Sequence, residues 1–173
     1  MRKAMKIVLA LAMVLLMSGG AIAQETFIPQ GSALVSGIEV LYRGSYRYFQ
    51  NRMFLTNITD QTIQCRVTVF DHNGDDITHF GQVMTGPAGG GGGHVVVSSG
   101  TGLFEIPAHS TRAFWFGSLL SGTMTFYGHA VVEWMSNSSK LRRALIGSIY
   151  KFSLGSSSNY YATERDINGG QPF

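Results

Sequence analysis

Residues 62 to 78 read TIQCRVTVFDHNGDDIT and combine a strict two-residue alternation with a tight-turn signal. The apolar side chains recur at every second position, which in an extended chain places them on one face: Ile63, Cys65, Val67 and Val69. The polar side chains from Gln64 to Thr68 face the other way. Asn73-Gly74 then supplies the positive φ angles that a tight hairpin turn requires. This stretch therefore predicts a half-buried strand that turns back toward Ile77.

The same rhythm recurs along most of the chain, and no segment keeps apolar residues at helical spacing over three turns. Turn residues separate short runs that are rich in β-branched and aromatic residues. The predicted strands cover residues 33–43, 48–58, 62–70, 93–97, 101–106, 111–117, 124–135 and 143–153. Strands of this length and number predict an all-β domain over residues 33–154, built as a single antiparallel two-sheet β-sandwich of immunoglobulin-like or jelly-roll type.

The first 23 residues have the order of a secretory signal peptide, because the basic start MRKAMK precedes an apolar run and the small residues SGGAIA. Cleavage is expected after Ala23, which leaves residues 24–32 as an N-terminal extension. The apolar run is shorter than the roughly 20 residues that a membrane helix needs, so no membrane span is expected after cleavage. Since the short signal is typical of bacteria, we expect an exported protein, periplasmic or extracellular.

Loss of this segment leaves a formally neutral chain. Three of the 13 Lys and Arg residues lie within it, so ten basic residues remain against ten acidic ones. Affinity for a polyanion needs an excess of Lys and Arg gathered on one face. A nucleic-acid partner is therefore not expected.

The last 19 residues, 155–173, read GSSSNYYATERDINGGQPF and predict a flexible C-terminal tail. Outer-membrane β-barrels favour a terminal phenylalanine such as Phe173, which leaves a barrel of that kind as a less favoured alternative. The closing strand of such a barrel alternates apolar and polar residues over about ten positions, and this tail does not.

Five consecutive glycines occur in TGPAGGGGGHVVV, residues 85 to 97. A phosphate-binding loop needs the pattern GxxxxGK[ST] between a strand and a helix. No Lys-Ser or Lys-Thr follows Gly93, and His94 leads into the valines of a predicted strand. The glycine run therefore predicts a flexible loop over residues 86–93 that connects two strands.

Oxygen ligands are dense in DHNGDD, and calcium is the one cofactor that the sequence suggests. The candidate ligands are Asp71, Asn73, Asp75 and Asp76. The spacing departs from an EF-hand loop, because glycine is fourth instead of sixth and Gln82 stands where a bidentate Glu is needed. Three histidines are further candidates: His72 and His79 flank the same turn, and His94 joins them if the glycine loop folds back.

Signatures of catalysis are missing from the sequence, so we expect a protein that is not an enzyme. There is no GxSxG motif, and nothing pairs Glu39, Glu105 or Glu133 in the way that a glycosidase requires. The single cysteine, Cys65, alternates with apolar residues and is expected to be a small buried hydrophobe. A small envelope hydrolase is kept as a less favoured alternative.

Tyrosine and arginine are concentrated in LYRGSYRYF, and both residue types are enriched at binding hot spots. The candidate binding residues are Tyr42, Arg43, Tyr46, Arg47 and Tyr48. Together with the lack of catalytic motifs, they favour an exported binding or assembly module whose partner is another protein or a second copy of the chain. The alternative is a glycan- or calcium-binding module.

Overall fold

A computed structural model describes residues 27–43, 46–100, 102–154 and 162–173, and antiparallel β-strands account for most of these residues. The strands are β1 (Gly31–Arg43), β2 (Tyr46–Asn57), β3 (Ile63–Asp71), β4 (Gly81–Thr85), β5 (Val95–Ser99), β6 (Leu103–Ile106), β7 (Thr111–Phe116), β8 (Thr123–Met135), β9 (Leu145–Leu154) and β10 (Ala162–Asp166). Short 3-10 turns span Thr78–Phe80 and Ile167–Gly170. The all-β prediction is confirmed. The predicted signal peptide, residues 1–23, lies outside the described residues, as does the start of the extension at 24–32.

All ten strands belong to one sheet, because β2 is hydrogen-bonded to strands on both of its edges. Strand β9 runs along one edge of β2 over its length. On the other edge β2 pairs first with β1, next to their hairpin, and then with β7. The resulting order is β5-β4-β7-β2-β1-β8-β3-β6, with β9 and β10 added at β2. The sheet is nearly closed and barrel-like, so the predicted division into two separate sheets is not confirmed.

Each of the eight predicted strands overlaps an observed one, and two observed strands were not predicted. Strand β4 is only five residues long, and β10 (ATERD) is exposed along its whole length. Neither segment carries enough alternating apolar residues to show the two-residue period. The Asn73-Gly74 turn is formed, but of the two residues only Gly74 has a positive φ, 89°. Its return strand is reduced to a single bridge between Phe70 and Asp76.

The core fills the space inside the curved sheet and comes from the inward positions of nearly every strand. Its largest fully buried side chains include Trp134, Phe114 and Phe116. The alternation predicted for β3 is confirmed, since every inward residue from Ile63 to Val69 is buried. Cys65 is fully buried with a free thiol, and burial raises the pKa of that thiol. It packs as the small hydrophobe that the sequence predicts.

Residues 162–173 differ from the predicted flexible tail; residues 155–161 lie outside the described residues. Strand β10 pairs with β9, and the Phe173 ring is buried in the core. The Phe173 carbonyl accepts hydrogen bonds from the Trp134 indole (2.7 Å) and from the backbone N–H groups of Ala144 and Leu145. The loose tail expected from the polar composition is instead held from residue 162 onward by strand pairing and by the buried Phe173 ring.

Asn57, at the end of β2, ties three chain segments together from a fully buried position. Its Nδ2 donates to the carbonyls of Gln61, Ile106 and Pro107, and its Oδ1 accepts from Thr59. The Asn57 side chain therefore stabilises the turn between β2 and β3.

The described part of the chain contains no helix of the length and apolar character that a membrane crossing requires.

We expect Phe173→Ala to lower the free energy of unfolding by about 3 kcal/mol, because it leaves a cavity in the core where the ring is buried. Val97→Ala removes an exposed side chain and is the matched control, with an expected change below about 0.5 kcal/mol. Urea unfolding followed by circular dichroism measures both. Equal stability of the two variants would show that the terminal residues do not dock.

Candidate functional site

The outward face of β2 and its neighbouring strands is buried in part. Alternation along the strand turns Gln50, Arg52 and Phe54 away from the core. Gln50 is nevertheless completely buried. Two outward residues of neighbouring strands, Met84 of β4 and Phe152 of β9, are buried as well. Phe54, Trp115 and Tyr150 on the same face stay partly exposed, so it presents apolar surface to solvent and is a candidate binding surface.

Arg52 is placed among aromatic rings by the register of three strands. It lies opposite Trp115 on β7 and opposite Tyr150 on β9, so the three side chains share the outward face. The guanidinium carbon is 4.4 Å from the Trp115 ring centroid and 5.5 Å from that of Phe152. Tyr150 stacks on Phe152 with centroids 5.7 Å apart. We call Arg52, Trp115, Tyr150 and Phe152 the arginine–aromatic cluster; it has the geometry of a cation–π site.

Hydrogen-bond donors outnumber acceptors around this cluster. The Trp115 indole N–H donates to Gln50 Oε1 at 3.2 Å, which fixes the Gln50 amide. The Gln50 Nε2 and the Arg52 Nε are then buried without a hydrogen-bond acceptor. Buried polar groups nearly always have a partner, so two orphaned donors on one face need an explanation. Among the described residues, no acceptor lies within hydrogen-bond distance of either donor.

The Arg52 guanidinium also lacks a carboxylate. Among the described residues, the ion pairs formed by Lys, Arg and His involve Arg66, His72, His109 and Lys151, and Arg52 has no Asp or Glu oxygen within 4.0 Å. Burial lowers the pKa of Arg52, and the neighbouring Tyr150 acts in the opposite direction. A guanidinium stays protonated at neutral pH even when its pKa is lowered. The outward face of β2 therefore carries one partly desolvated positive charge, and no counter-ion for it lies among the described residues.

A groove of about 260 Å³ lies next to the cluster. Its floor follows the next row of the sheet, where Ala113 of β7 pairs with Phe54 of β2 and with Met84 of β4. Residues at the two ends of the glycine-rich loop, Gly86, Gly93 and His94, also line it. Arg52 belongs to the same lining. The groove thus combines an apolar floor with a cation at one side.

The glycine-rich loop connects β4 to β5, and nearly all of residues 86–93 are exposed. Its flexibility stays a prediction. His94 is directed to the outward face, where its ring lies 6.0 Å from the Trp115 ring. For His94 to approach His72 and His79, as predicted, its ring would have to leave this position beside Trp115. His79 packs against Phe80 instead.

Two of the three carboxylates proposed as calcium ligands, those of Asp71 and Asp76, accept hydrogen bonds within the turn. Asp71 Oδ1 accepts the backbone N–H groups of Asn73 (2.8 Å) and Asp75 (3.0 Å). Desolvation opposes the charged form of Asp71, but these bonds and His72 outweigh it and lower its pKa. Asp76 Oδ1 accepts from the N–H and hydroxyl of Thr78. In the part of the chain that the structure describes, no three His, Cys, Asp or Glu residues lie together as metal ligands.

The described part of the tyrosine and arginine segment lies where the end of β1 pairs with the start of β2. Tyr42 packs against the core and Arg43 is exposed. The backbone of residues 46–48 begins β2, but the side chains of Tyr46, Arg47 and Tyr48 lie outside what the structure describes. Its role in binding stays a prediction.

Two of the acids considered for catalysis are held in ion pairs. Arg66 donates to Glu133 from Nε (2.9 Å) and Nη2 (2.7 Å) across β3 and β8. Lys151 pairs with Glu39. Each of these two carboxylates is therefore engaged by a cation of another strand.

Sequence reasoning missed the arginine–aromatic cluster, because its members come from β2, β7 and β9 and no motif joins them. The one available signal was Arg52 on the polar side of an alternating strand; its aromatic neighbours depend on strand pairing.

No known protein family, curated protein or solved structure shows a match to this chain.

We expect Arg52→Met to leave the free energy of unfolding unchanged or to raise it by up to about 1 kcal/mol, because loss of the cation–π contact is offset by removal of an unpaired, partly buried charge. Arg66→Met is the contrast: it breaks a two-fold ion pair and should lower stability by about 1 kcal/mol. Urea unfolding measures both. A loss above about 2 kcal/mol for Arg52→Met would identify Arg52 as a structural residue instead of a binding one.

Proposed function

We propose that this chain is an exported, non-enzymatic binding protein and that it binds through the arginine–aromatic cluster and the adjoining groove. The observation that carries the proposal is the Arg52 guanidinium, which stacks on Trp115 and Phe152 without a described acidic partner. Unpaired charge at a half-buried position is costly for stability, and such cost is typical of a site that a ligand completes. Arginine and tryptophan are also the residues most enriched at binding hot spots.

The site on this face replaces the tyrosine and arginine hairpin as the leading candidate. The contacts of this site are part of the described structure, unlike those of Tyr46, Arg47 and Tyr48. The site combines the charge of Arg52, the ring of Trp115 and the apolar floor of the groove. Glycan binding would use the ring faces, and one face of Trp115 is already covered by Arg52. Calcium would need anionic ligands, whereas this face carries a cation.

Ligand-dependent stabilisation tests the proposal with the chain from residue 24 to residue 173. A library of envelope extracts, polysaccharides, calcium and small metabolites is screened for compounds that raise the midpoint of thermal unfolding. We expect at least one to do so for the wild-type chain and for Arg143→Met, an exposed arginine on the loop before β9, and to lose its effect with Arg52→Met. A response that is equal in all three proteins would contradict binding at this face.

Assembly through a strand edge is a second candidate, and β5 favours it. Val95, Val96 and Val97 are 48, 47 and 42% exposed, and β5 pairs with β4 alone among the described strands. Exposed edges are usually protected by charge, proline or a bulge; β5 has an irregularity in its pairing but neither charge nor proline. A second chain can extend such an edge by antiparallel pairing.

We expect the wild-type chain to sediment as a dimer or larger species at micromolar concentration if this edge mediates assembly. Val97→Lys places a charge on the edge and should give a monomer. Tyr127→Lys changes another exposed apolar side chain, on β8, and should keep the wild-type size. A wild-type chain that remains monomeric up to about 100 µM would rule out stable assembly, because its dissociation constant would then be weaker than the roughly micromolar range of specific association.

A further inference from the structure

We infer that the ligand of the groove is a small monoanionic carboxylate that carries a compact apolar group. Its carboxylate would lie at the Arg52 guanidinium, and its apolar group would lie on Phe54, Met84 and Ala113. This inference rests on the proposed function, because it names the chemical class of ligand for the same site.

The sign and size of the ligand's charge are inferred from Arg52. One guanidinium without a described counter-ion compensates one negative charge. A phosphate dianion would keep an uncompensated charge in a partly desolvated site, which is unfavourable. A carboxylate carries a single charge, and its two oxygens match the planar fork of an arginine.

Surplus donors around the cation strengthen its preference for an anion. Arg52 Nε and Gln50 Nε2 are buried without acceptors on the same outward face. The N–H dipoles of both groups add positive potential beside the guanidinium, and the Trp115 N–H is already used by Gln50 Oε1. An ionised carboxylate has only acceptors, so it adds no further unpaired donor.

The apolar group of the ligand is inferred from the residues that form the floor of the groove and from the volume of the groove. One row across the sheet contains the Phe54 ring on β2, the Ala113 methyl group on β7 and the Met84 thioether on β4. The volume of about 260 Å³ is below the 300 to 1,000 Å³ of most drug-sized sites, so the ligand, or the part of it that enters, is compact. A single aromatic ring or a short branched chain fits this description.

Two sources present the same chemistry: a free aromatic or branched-chain acid, and the C-terminal carboxylate of a peptide that ends in an apolar residue. Both place one carboxylate a few bonds away from one apolar group. Compounds of each kind, with amides of the same shape, separate the two sources and test the charge.

Four probes are titrated into the chain from residue 24 to residue 173 at pH 7: 3-phenylpropionate, its primary amide, N-acetyl-glycyl-phenylalanine, and the amide of that peptide. Binding is followed by calorimetry and by the indole N–H signals of Trp115 and Trp134 in nitrogen-15 NMR spectra. We expect at least one carboxylate to bind and to shift the Trp115 signal, while Trp134, buried in the core, stays unchanged. Each amide should bind at least tenfold more weakly than its acid.

Two variants, on different strands, test the contribution of the charge to binding separately from that of the groove. Arg52→Met should weaken carboxylate binding at least tenfold and abolish the difference between acid and amide. Ala113→Leu fills the groove floor without touching the cation, and should weaken binding while Arg52 remains in place. Arg143→Met is the control and should bind as the wild type does.

Equal binding of acid and amide, binding that survives Arg52→Met, or no binding of either carboxylate would overturn the inference. If the thermal-shift screen still finds a ligand that depends on Arg52, the proposed function stands and only the ligand class is wrong. If no ligand or partner depends on Arg52, both are wrong.

Discussion

Pairing of β2 along both edges is the constraint on which the rest of this structure depends. Strand β9 occupies one edge, and β1 followed by β7 occupies the other. Since side chains alternate along a strand, this arrangement sends Met53 and Leu55 into the core and Arg52 and Phe54 outward. The same pairing joins all ten strands into one sheet. The core and the outward face are therefore two consequences of one set of hydrogen bonds.

The two faces of β2 meet different physical demands. Inward residues contribute to stability by burial, and Asn57, at the end of the strand, has a partner for each polar atom of its side chain. Unpartnered polar atoms occur on both faces: Asn51 Oδ1 inward, and Gln50 Nε2 and Arg52 Nε outward. The outward face differs because Arg52 also carries a charge with no carboxylate among the described residues and lines a groove. We therefore propose the outward face as the functional one.

Several elements of the fold were predictable because their cause is local. The alternation from Ile63 to Val69 and the Asn73-Gly74 turn depend on neighbouring residues, and both are present. Strand β10 was not predictable, because ATERD has no apolar alternation and forms only where β9 offers its edge. Phe173 was taken as the end of a loose tail, and its docking depends on the Trp134 indole 39 positions away. Non-local pairing leaves little trace in the local sequence.

The amino-acid sequence by itself determined the β-rich class, most strand positions, the burial of Cys65 and the position of the glycine-rich connection, because periodicity and turn chemistry act over a few residues. Only the tertiary structure decided that one continuous sheet forms and that Arg52, Trp115 and Phe152 meet on its outer face. Their meeting depends on which strands pair and in which register. A shift of one residue would turn Arg52 toward the core, so the site exists only once that register is set.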